Sequence, residues 1–259
     1  MSAMCAAQSY DTLRTLDVAE VARFAELADT WWDPDGKFRP LHQLGPARLG
    51  FIRGQLIEHF KLEAERLHPF DGLRVLDIGC GGGLIAEPLA RLGASVTAID
   101  PAKENIAAAR AHSGPQGLEI DYRVGRVEDL GNAGPSFDAV MCLEVIEHVP
   151  DVGGFLKCCA ALVRPGGIMI LSTINRTLKA YVLAIVGAEY VLGWLPVGTH
   201  QWERFVKPDE LERQLAAAGL AIRDVRGLIY NPLSDRWTLG DDTDVNYMAA
   251  ATRAAALQV

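Results

Sequence analysis

Two short stretches of this 259-residue chain bring together residue types that do chemistry. The first, VLDIGCGGG at 75–83, runs from an apolar strand pattern through Asp77 into Gly79, Gly81, Gly82 and Gly83. Glycines let a backbone take positive φ and approach a ligand closely, and a loop that follows a parallel strand lies where such sheets bind ligands. Roughly 20 residues further on, the next strand pattern ends in Asp100, the spacing at which an acid accepts hydrogen bonds from ribose hydroxyls. The second stretch, Glu144-Val145-Ile146-Glu147-His148, closes the fourth strand pattern with two carboxylates and an imidazole.

Loop and acid together imply a cofactor that contains a ribose. In the dinucleotide fingerprint GxGxxG the third glycine position is Leu84 here, which breaks that pattern. A pyrophosphate would face Asp77 badly. S-adenosylmethionine (SAM) has no phosphate, and its ammonium and sulfonium suit a nearby carboxylate. The reading is therefore SAM, leaving as S-adenosylhomocysteine (SAH), rather than a nicotinamide cofactor. Asp77, Gly79, Gly81 and Asp100 belong to its site on this reading. Glu128, after the third strand, is placed for the adenine, with Asp129 alternatively a helix cap. Leu143 flanks the cofactor at the end of the fourth strand, and Arg48 is either a partner for the methionine carboxylate or a surface arginine.

The fourth strand end faces the transferred methyl in such an enzyme. If the chain turns helical there, Glu144, Glu147 and His148 share one face at i, i+3 and i+4. Methyl transfer needs a nucleophile without its proton, and a phenol with a pKa of about 10 keeps it at neutral pH. A divalent metal such as Mg2+ held by the three side chains would lower that pKa. A histidine or glutamate acting as general base is the metal-free route. The plain alternative is that His148 and Glu144 only hydrogen-bond the loop and shape the pocket, and all three readings stand.

The elements that must position these groups follow from periodicity. Asp17 and Glu20 form a capping pair for a first helix, and Pro46 marks the start of a second that runs to about Phe60. From residue 73 the pattern alternates, with strands at 74–78, 95–99, 120–124, 138–143 and 167–173 and helices at 84–92, 103–112 and 151–163. A helix near 208–218 and strands near 220–228 and 245–251 follow, without a long helix between the last two. The expected fold is α/β, a Rossmann-like class I SAM methyltransferase with a seven-stranded, mostly parallel sheet and an antiparallel edge strand. One domain over 17–259 is expected, with N-terminal helices at 17–60, a flexible stretch at 1–16 and an insert at about 177–205. That insert contains AYVLAIVGAEYVLGWLP, which is too short and too interrupted to span a bilayer. It reads as a lid, or as an amphipathic cover that touches lipid.

Bulk properties remove several classes. A formal net charge of −8 with no basic stripe disfavours DNA or RNA as partner. The five cysteines, Cys5, Cys80, Cys142, Cys158 and Cys159, show no CxxC spacing and read as reduced, in a cytoplasmic compartment. The first residues have no secretory apolar core and few positive charges.

Longer segments resemble the ubiquinone-biosynthesis O-methyltransferases from about Phe24 to Met248. WWDPDGKFRPLHQLGPARLGFI at 31–52, CLEVIEHVPD at 142–151, LVRPGGIMILSTINRTLKAY at 162–181 and AIVGAEYVLGWLPVGTH at 184–200 carry the resemblance, with FVKPDEL at 205–211 and the YNP and VNYM motifs beyond. It implies O-methylation of the ring hydroxyls of 2-polyprenyl-6-hydroxyphenol and of 3-demethylubiquinol. It also implies cofactor contacts at Arg48, Gly79, Asp100 and Leu143, a divalent metal at Glu144, Glu147 and His148, and peripheral lipid contact near 177–200 at the inner face of the membrane. Other ubiquinone-synthesis enzymes are implied as partners. Val197 and Gln201 depart from a lysine and an aspartate common in relatives, which weakens a basic headgroup contact there, and Gly45 replaces a common asparagine. The competing readings are a methyltransferase of another small hydrophobic phenol and a non-catalytic SAM- or lipid-binding assembly factor.

Overall fold

The computed structural model describes residues 15–130, 136–183 and 201–256. Five strands, Arg74–Ile78 (β1), Ser95–Asp100 (β2), Asp121–Val124 (β3), Phe137–Leu143 (β4) and Val163–Ile174 (β5), run parallel to one another. Leu220–Asn231 (β6), Arg236–Gly240 (β7) and Asn246–Arg253 (β8) complete a sheet of order β3-β2-β1-β4-β5-β8-β6-β7. β8 lies antiparallel between β5 and β6, and β7 pairs antiparallel with β6 at the sheet edge. The class expected from sequence stands, but among the described residues the sheet has eight strands rather than seven. The reversed last strand is internal, and the extra edge strand is β7, whose RWTLG carries little apolar signal of its own.

Side-chain alternation sorts the sheet into two packed faces. Val75, Ala98, Met141, Ile168, Ile170, Met248 and Ala250 join one core cluster, and Leu76, Ile99, Cys142, Met169, Leu171, Ala249 and Ala251 join the other. Residues two apart share a face, so strands covered on both sides read as unbroken apolar runs. Helices Arg39–Phe60 (the second, α2), Ala86–Arg91 (α3) and Lys103–Ser113 (α4) cover the first face through residues such as Ile52, Leu56, Leu89 and Ile106. Val127–Leu130 (α5), Val152–Leu162 (α6) and Pro208–Ala217 (α8, after the short α7 at Leu178–Ala180) cover the second through Val127, Leu156, Cys159, Leu211 and Leu215. Cys80, Cys142, Cys158 and Cys159 are buried and free.

The N-terminal cover differs from the sequence reading in three places. Helix α1 spans Val18–Glu26, and the Asp17 carboxylate accepts hydrogen bonds from the Ala19 and Glu20 backbone N–H groups at 3.1 and 3.4 Å. Glu20 does not complete a capping box, because its carboxylate turns to Arg23 and His148 instead. Helix α2 starts at Arg39, with Pro40 in its first turn, so Pro46 lies inside it. Pro46 is exposed, on the side where water can serve the carbonyl that a proline nitrogen cannot. Thr15 is buried, and its hydroxyl donates to Glu128; residues 1–14 of the stretch expected to be flexible lie outside the described residues.

Of the apolar insert, 184–200 lies outside the described residues. The segment leading to it exposes Leu178, Tyr181, Val182 and Leu183. No helix among the described residues is long and apolar enough to cross a membrane.

Asp17 holds α1 twice, as its N-cap and through a 3.0 Å ion pair with Arg204. Replacing it with alanine is expected to cost about 1 kcal/mol, a fall of about 2–4 °C in Tm for a chain of this size. An Asp17→Ala protein melting with the wild type would contradict that anchoring.

Candidate active site

The order of the sheet reverses at β1, whose neighbours are β2 and β4. Connections there leave in opposite directions, and a crevice opens beyond the carboxyl ends. A cavity of about 720 Å³ occupies this crevice. Arg48, Asp77, Gly79, Gly81, Asp100, Glu128, Leu143, Glu144, Glu147 and His148 all border it, so the sequence-named residues are brought into one place.

The glycine loop follows β1 with Gly79, Gly81 and Gly83 at positive φ of 68, 52 and 89°. Side chains of the protein fill much of the space the missing Cβ atoms leave. Val145 packs on Gly79, and the Trp31 indole packs on Gly81 and Gly82. The loop is therefore glycine-rich partly to admit Trp31, a reason the sequence reading did not contain.

The two acids of the loop are buried, at 3 and 6% exposure for Asp77 and Asp100. Asp100 accepts from the N–H groups of Gly81 (3.0 Å) and Ala102 (2.9 Å) and from Asn105 Nδ2 (3.1 Å). Burial still pushes its carboxyl above the ordinary value against these donors. Asp77 is less well served, since its Oδ2 has no hydrogen-bond partner among the described residues. Burial first, and the Asp100 charge second, raise Asp77 to about 7. A buried carboxyl held this way and bordering a cavity is suited to receive a cation. After β3, buried Glu128 accepts from the Thr15 hydroxyl, while Asp129 caps its own turn through the Arg126 N–H at 2.9 Å.

The second cluster does not have the expected geometry. Glu144 takes a left-handed φ of 54°, which no helix can include, and only a 3-10 turn, Ile146–His148, follows. The three side chains therefore go to different partners. Glu144 Oε1 accepts from the Ser172 hydroxyl at 2.6 Å and lies 3.0 Å from Arg48 Nη2 on α2, a charge contact rather than an aligned hydrogen bond. Glu147 Oε2 accepts from the Thr173 hydroxyl at 2.9 Å, and its Oε1 has no partner among the described residues. Burial and the Glu144 charge push the Glu147 carboxyl above its usual range. His148 Nδ1 lies 2.8 Å from Glu20 Oε2 on α1. Burial would raise Glu20, but the His148 hydrogen bond and charge, with Arg23, outweigh it and hold that carboxyl low.

Among the described residues, no group of three or more His, Cys, Asp or Glu side chains is arranged to hold a metal ion. The Mg2+ site expected at Glu144, Glu147 and His148 does not fit these residues as they stand, because each is committed to a different partner. Arg48 is likewise corrected from one of its two readings: it is 4% exposed, not on the surface. Residues that the sequence reading missed are Glu20, Trp31, Asn105, Ser172 and Thr173, all of which reach site residues from elsewhere in the chain.

Comparisons with known proteins agree with this geometry. A family model described as a methyltransferase domain matches residues 50–225. The fold is similar to that of the magnesium protoporphyrin IX methyltransferase of Synechocystis PCC 6803 with bound SAH, at a TM-score of 0.61 and 20% identity over 91% of this chain and 94% of that one. A SAM-dependent methyltransferase of Clostridium acetobutylicum matches at a TM-score of 0.58 and 17% identity, over 90% of this chain and 99% of that one. Fold and family model together define a class I SAM-dependent methyltransferase. Curated relatives narrow the class. The ubiquinone biosynthesis O-methyltransferase of Parvibaculum lavamentivorans is 55% identical over 93% of this chain and 95% of its own length, and that of Azorhizobium caulinodans 54% over 90% and 92%. The chain belongs to the ubiquinone biosynthesis O-methyltransferase family and is a SAM-dependent O-methyltransferase.

Without cofactor, the Asp77 carboxyl keeps its proton to about pH 7 in the folded chain, whereas an unfolded aspartate loses it near its ordinary value of 3.8. Across that window the folded state binds more protons, so its contribution to stability is present at low pH and is lost as pH rises towards 7. An Asp77→Asn protein lacks this term. Its Tm is expected to gain on the wild type as pH climbs from about 4 to about 7; a difference that stays constant with pH would contradict the buried, proton-holding carboxyl.

Proposed function

We propose that the chain transfers the methyl group of SAM to a ring hydroxyl of a prenylated phenol or quinol, accepting both 2-polyprenyl-6-hydroxyphenol and 3-demethylubiquinol. The observation that carries this is the double character of one cavity. Asp77, Asp100 and Glu128 border it with acid, while Phe38, Leu41, Leu228, Ile229 and Trp237 border it with apolar surface. The acidic groups suit a cofactor that carries an ammonium, a sulfonium and ribose hydroxyls. The apolar wall suits a substituted ring and the first units of its tail, with about 0.8 kcal/mol for each CH₂ buried. The family supports the same reading through the name its members carry.

In this assignment Asp77 faces the methionine ammonium, Asp100 accepts from the ribose and Glu128 from the adenine amine. Gly79, Gly81 and Leu143 line the cofactor, and Arg48 supplies a positive charge near its carboxylate. His148 is the base that takes the hydroxyl proton. Glu20 at Nδ1 orients the ring and stabilises the charge it gains. Glu144 and Glu147 complete the acceptor side and need no metal for this step. The exposed Leu178, Tyr181, Val182 and Leu183 lead towards the 184–200 insert and suit peripheral contact with a bilayer from the cytoplasmic side, where a prenylated substrate resides.

Incubation with methyl-labelled SAM and a short-chain prenylated catechol is expected to place label on a ring oxygen. A His148→Ala variant is expected to lower kcat by about 10²- to 10⁴-fold with SAH affinity unchanged. SAM binding without transfer to any prenylated catechol or quinol would sink the proposal, and full activity in the His148 variant would remove that residue as the base.

A further inference from the structure

Trp31 and Trp32 follow the 3-10 turn Ala28–Thr30 and reach two different parts of the cofactor site. Trp31 is buried, stacked on Phe38 with ring centroids 3.7 Å apart and planes 4° from parallel. Its Nε1 donates to Asn105 Oδ1 at 2.8 Å, and Asn105 Nδ2 donates in turn to Asp100 Oδ1 at 3.1 Å. Asn105 is 2% exposed, so its amide is set by these two bonds rather than by water. The Trp31 indole also covers Gly81 and Gly82, where a Cβ would collide with it.

Trp32 takes the other side of the loop. Its Nε1 donates to the Gly82 carbonyl at 2.9 Å. Its ring stacks on His112, with centroids 3.4 Å apart and planes 8° from parallel. His112 is fixed by a 2.7 Å contact with the carboxylate of Glu87, a 2% exposed residue near the start of α3, the helix the glycine loop leads into. Trp31 is itself held from α2, where His42 Nε2 donates to the Trp31 carbonyl at 2.8 Å. A carbonyl can only accept, so the His42 proton sits on Nε2.

We infer that this tryptophan pair positions the cofactor site. Trp31 fixes the Asp100 carboxylate through Asn105, Trp32 fixes the loop at the Gly82 carbonyl, and cofactor affinity depends on the two indole N–H groups. Polar groups that must accept a ligand gain from being locked before it arrives, because their ordering then costs nothing on binding. Loop glycines at positive φ have no side chains to lock them, so the lock has to come from outside the loop. Adjacent aromatic residues that each use their one donor on a different piece of the site provide it. Both act through other residues on the cofactor and are positioning residues, not catalytic ones. The inference rests on the placement of SAM over this loop.

The test uses Trp31→Phe and Trp32→Phe in the full chain, each of which keeps an aromatic ring and removes one N–H. SAH and SAM dissociation constants are measured by titration calorimetry, with KM for SAM and for the acceptor and Tm of the free protein alongside. Each variant is expected to weaken SAH binding by about 5- to 20-fold, within what one lost buried hydrogen bond allows. KM for SAM rises in step, while kcat at saturating SAM and KM for the acceptor stay within about twofold of the wild type. Leu156→Ala, in the core under α6, controls for general destabilisation, lowering Tm while leaving SAH affinity unchanged. SAH affinity within twofold of the wild type in both tryptophan variants would overturn the inference, as would an equal loss of affinity in Leu156→Ala. Wild-type protein that bound neither SAH nor SAM would overturn the cofactor placement itself.

Discussion

The structure turns on two carboxyl groups buried at the ends of neighbouring parallel strands. Asp77 lies near the end of β1 and Asp100 at the end of β2; burial raises both carboxyls, and the Asp100 charge raises Asp77 further. Fully buried charges are tolerated where they are paired and hydrogen-bonded. Asp100 is satisfied by three donors, whereas Asp77 retains an oxygen without a partner among the described residues. Below about pH 7 the free protein meets that cost by keeping Asp77 protonated, and a cationic ligand would meet it by pairing. The strand order, the glycine loop and the helices over the crevice all serve to hold this pair out of water yet open to a cavity.

The cover over the crevice is tied down by polar contacts as well as by apolar packing. Thr15 donates to Glu128, Asp17 pairs with Arg204, Glu20 with His148 and Arg48 with Glu144. Three of these contacts join the N-terminal region to cavity-lining residues, Glu128, His148 and Glu144. The cover over the cavity is thus joined to cavity-lining side chains, and in the case of Glu20 and His148 the partners lie more than a hundred positions apart in the chain.

Local signals made much of this legible before the structure. The strands β1, β2, β4 and β5 are apolar runs because both faces are buried, and the loop and Asp100 follow them at a spacing that parallel strands impose. The identity of the acceptor rested on longer segments of resemblance, since periodicity says nothing about a ring or its tail. What failed was non-local or rare in local terms. The left-handed φ of Glu144 is unusual for any residue but glycine, asparagine or aspartate, and it undid the helical face on which a three-residue metal site depended. Pro46 reads as a helix start because proline is favoured at a helix's first position, yet Pro40 already supplies the first turn. β7 carries too little apolar pattern to announce itself. Trp31 and Trp32 stood out as a motif, but their partners at Asn105, Gly82 and His112 are fixed only when the chain folds.

The claim that a buried, proton-holding Asp77 receives the cofactor's cation is tested most directly by counting protons on binding. Calorimetric titration of SAM into the protein at about pH 6, in buffers of different ionisation enthalpy, reads that count. The account predicts that the wild type releases a substantial fraction of a proton as Asp77 ionises against the bound ammonium, that affinity tightens as pH rises towards 7, and that Asp77→Asn does neither. SAM binding with no proton release by the wild type, or with the same release by Asp77→Asn, would contradict it.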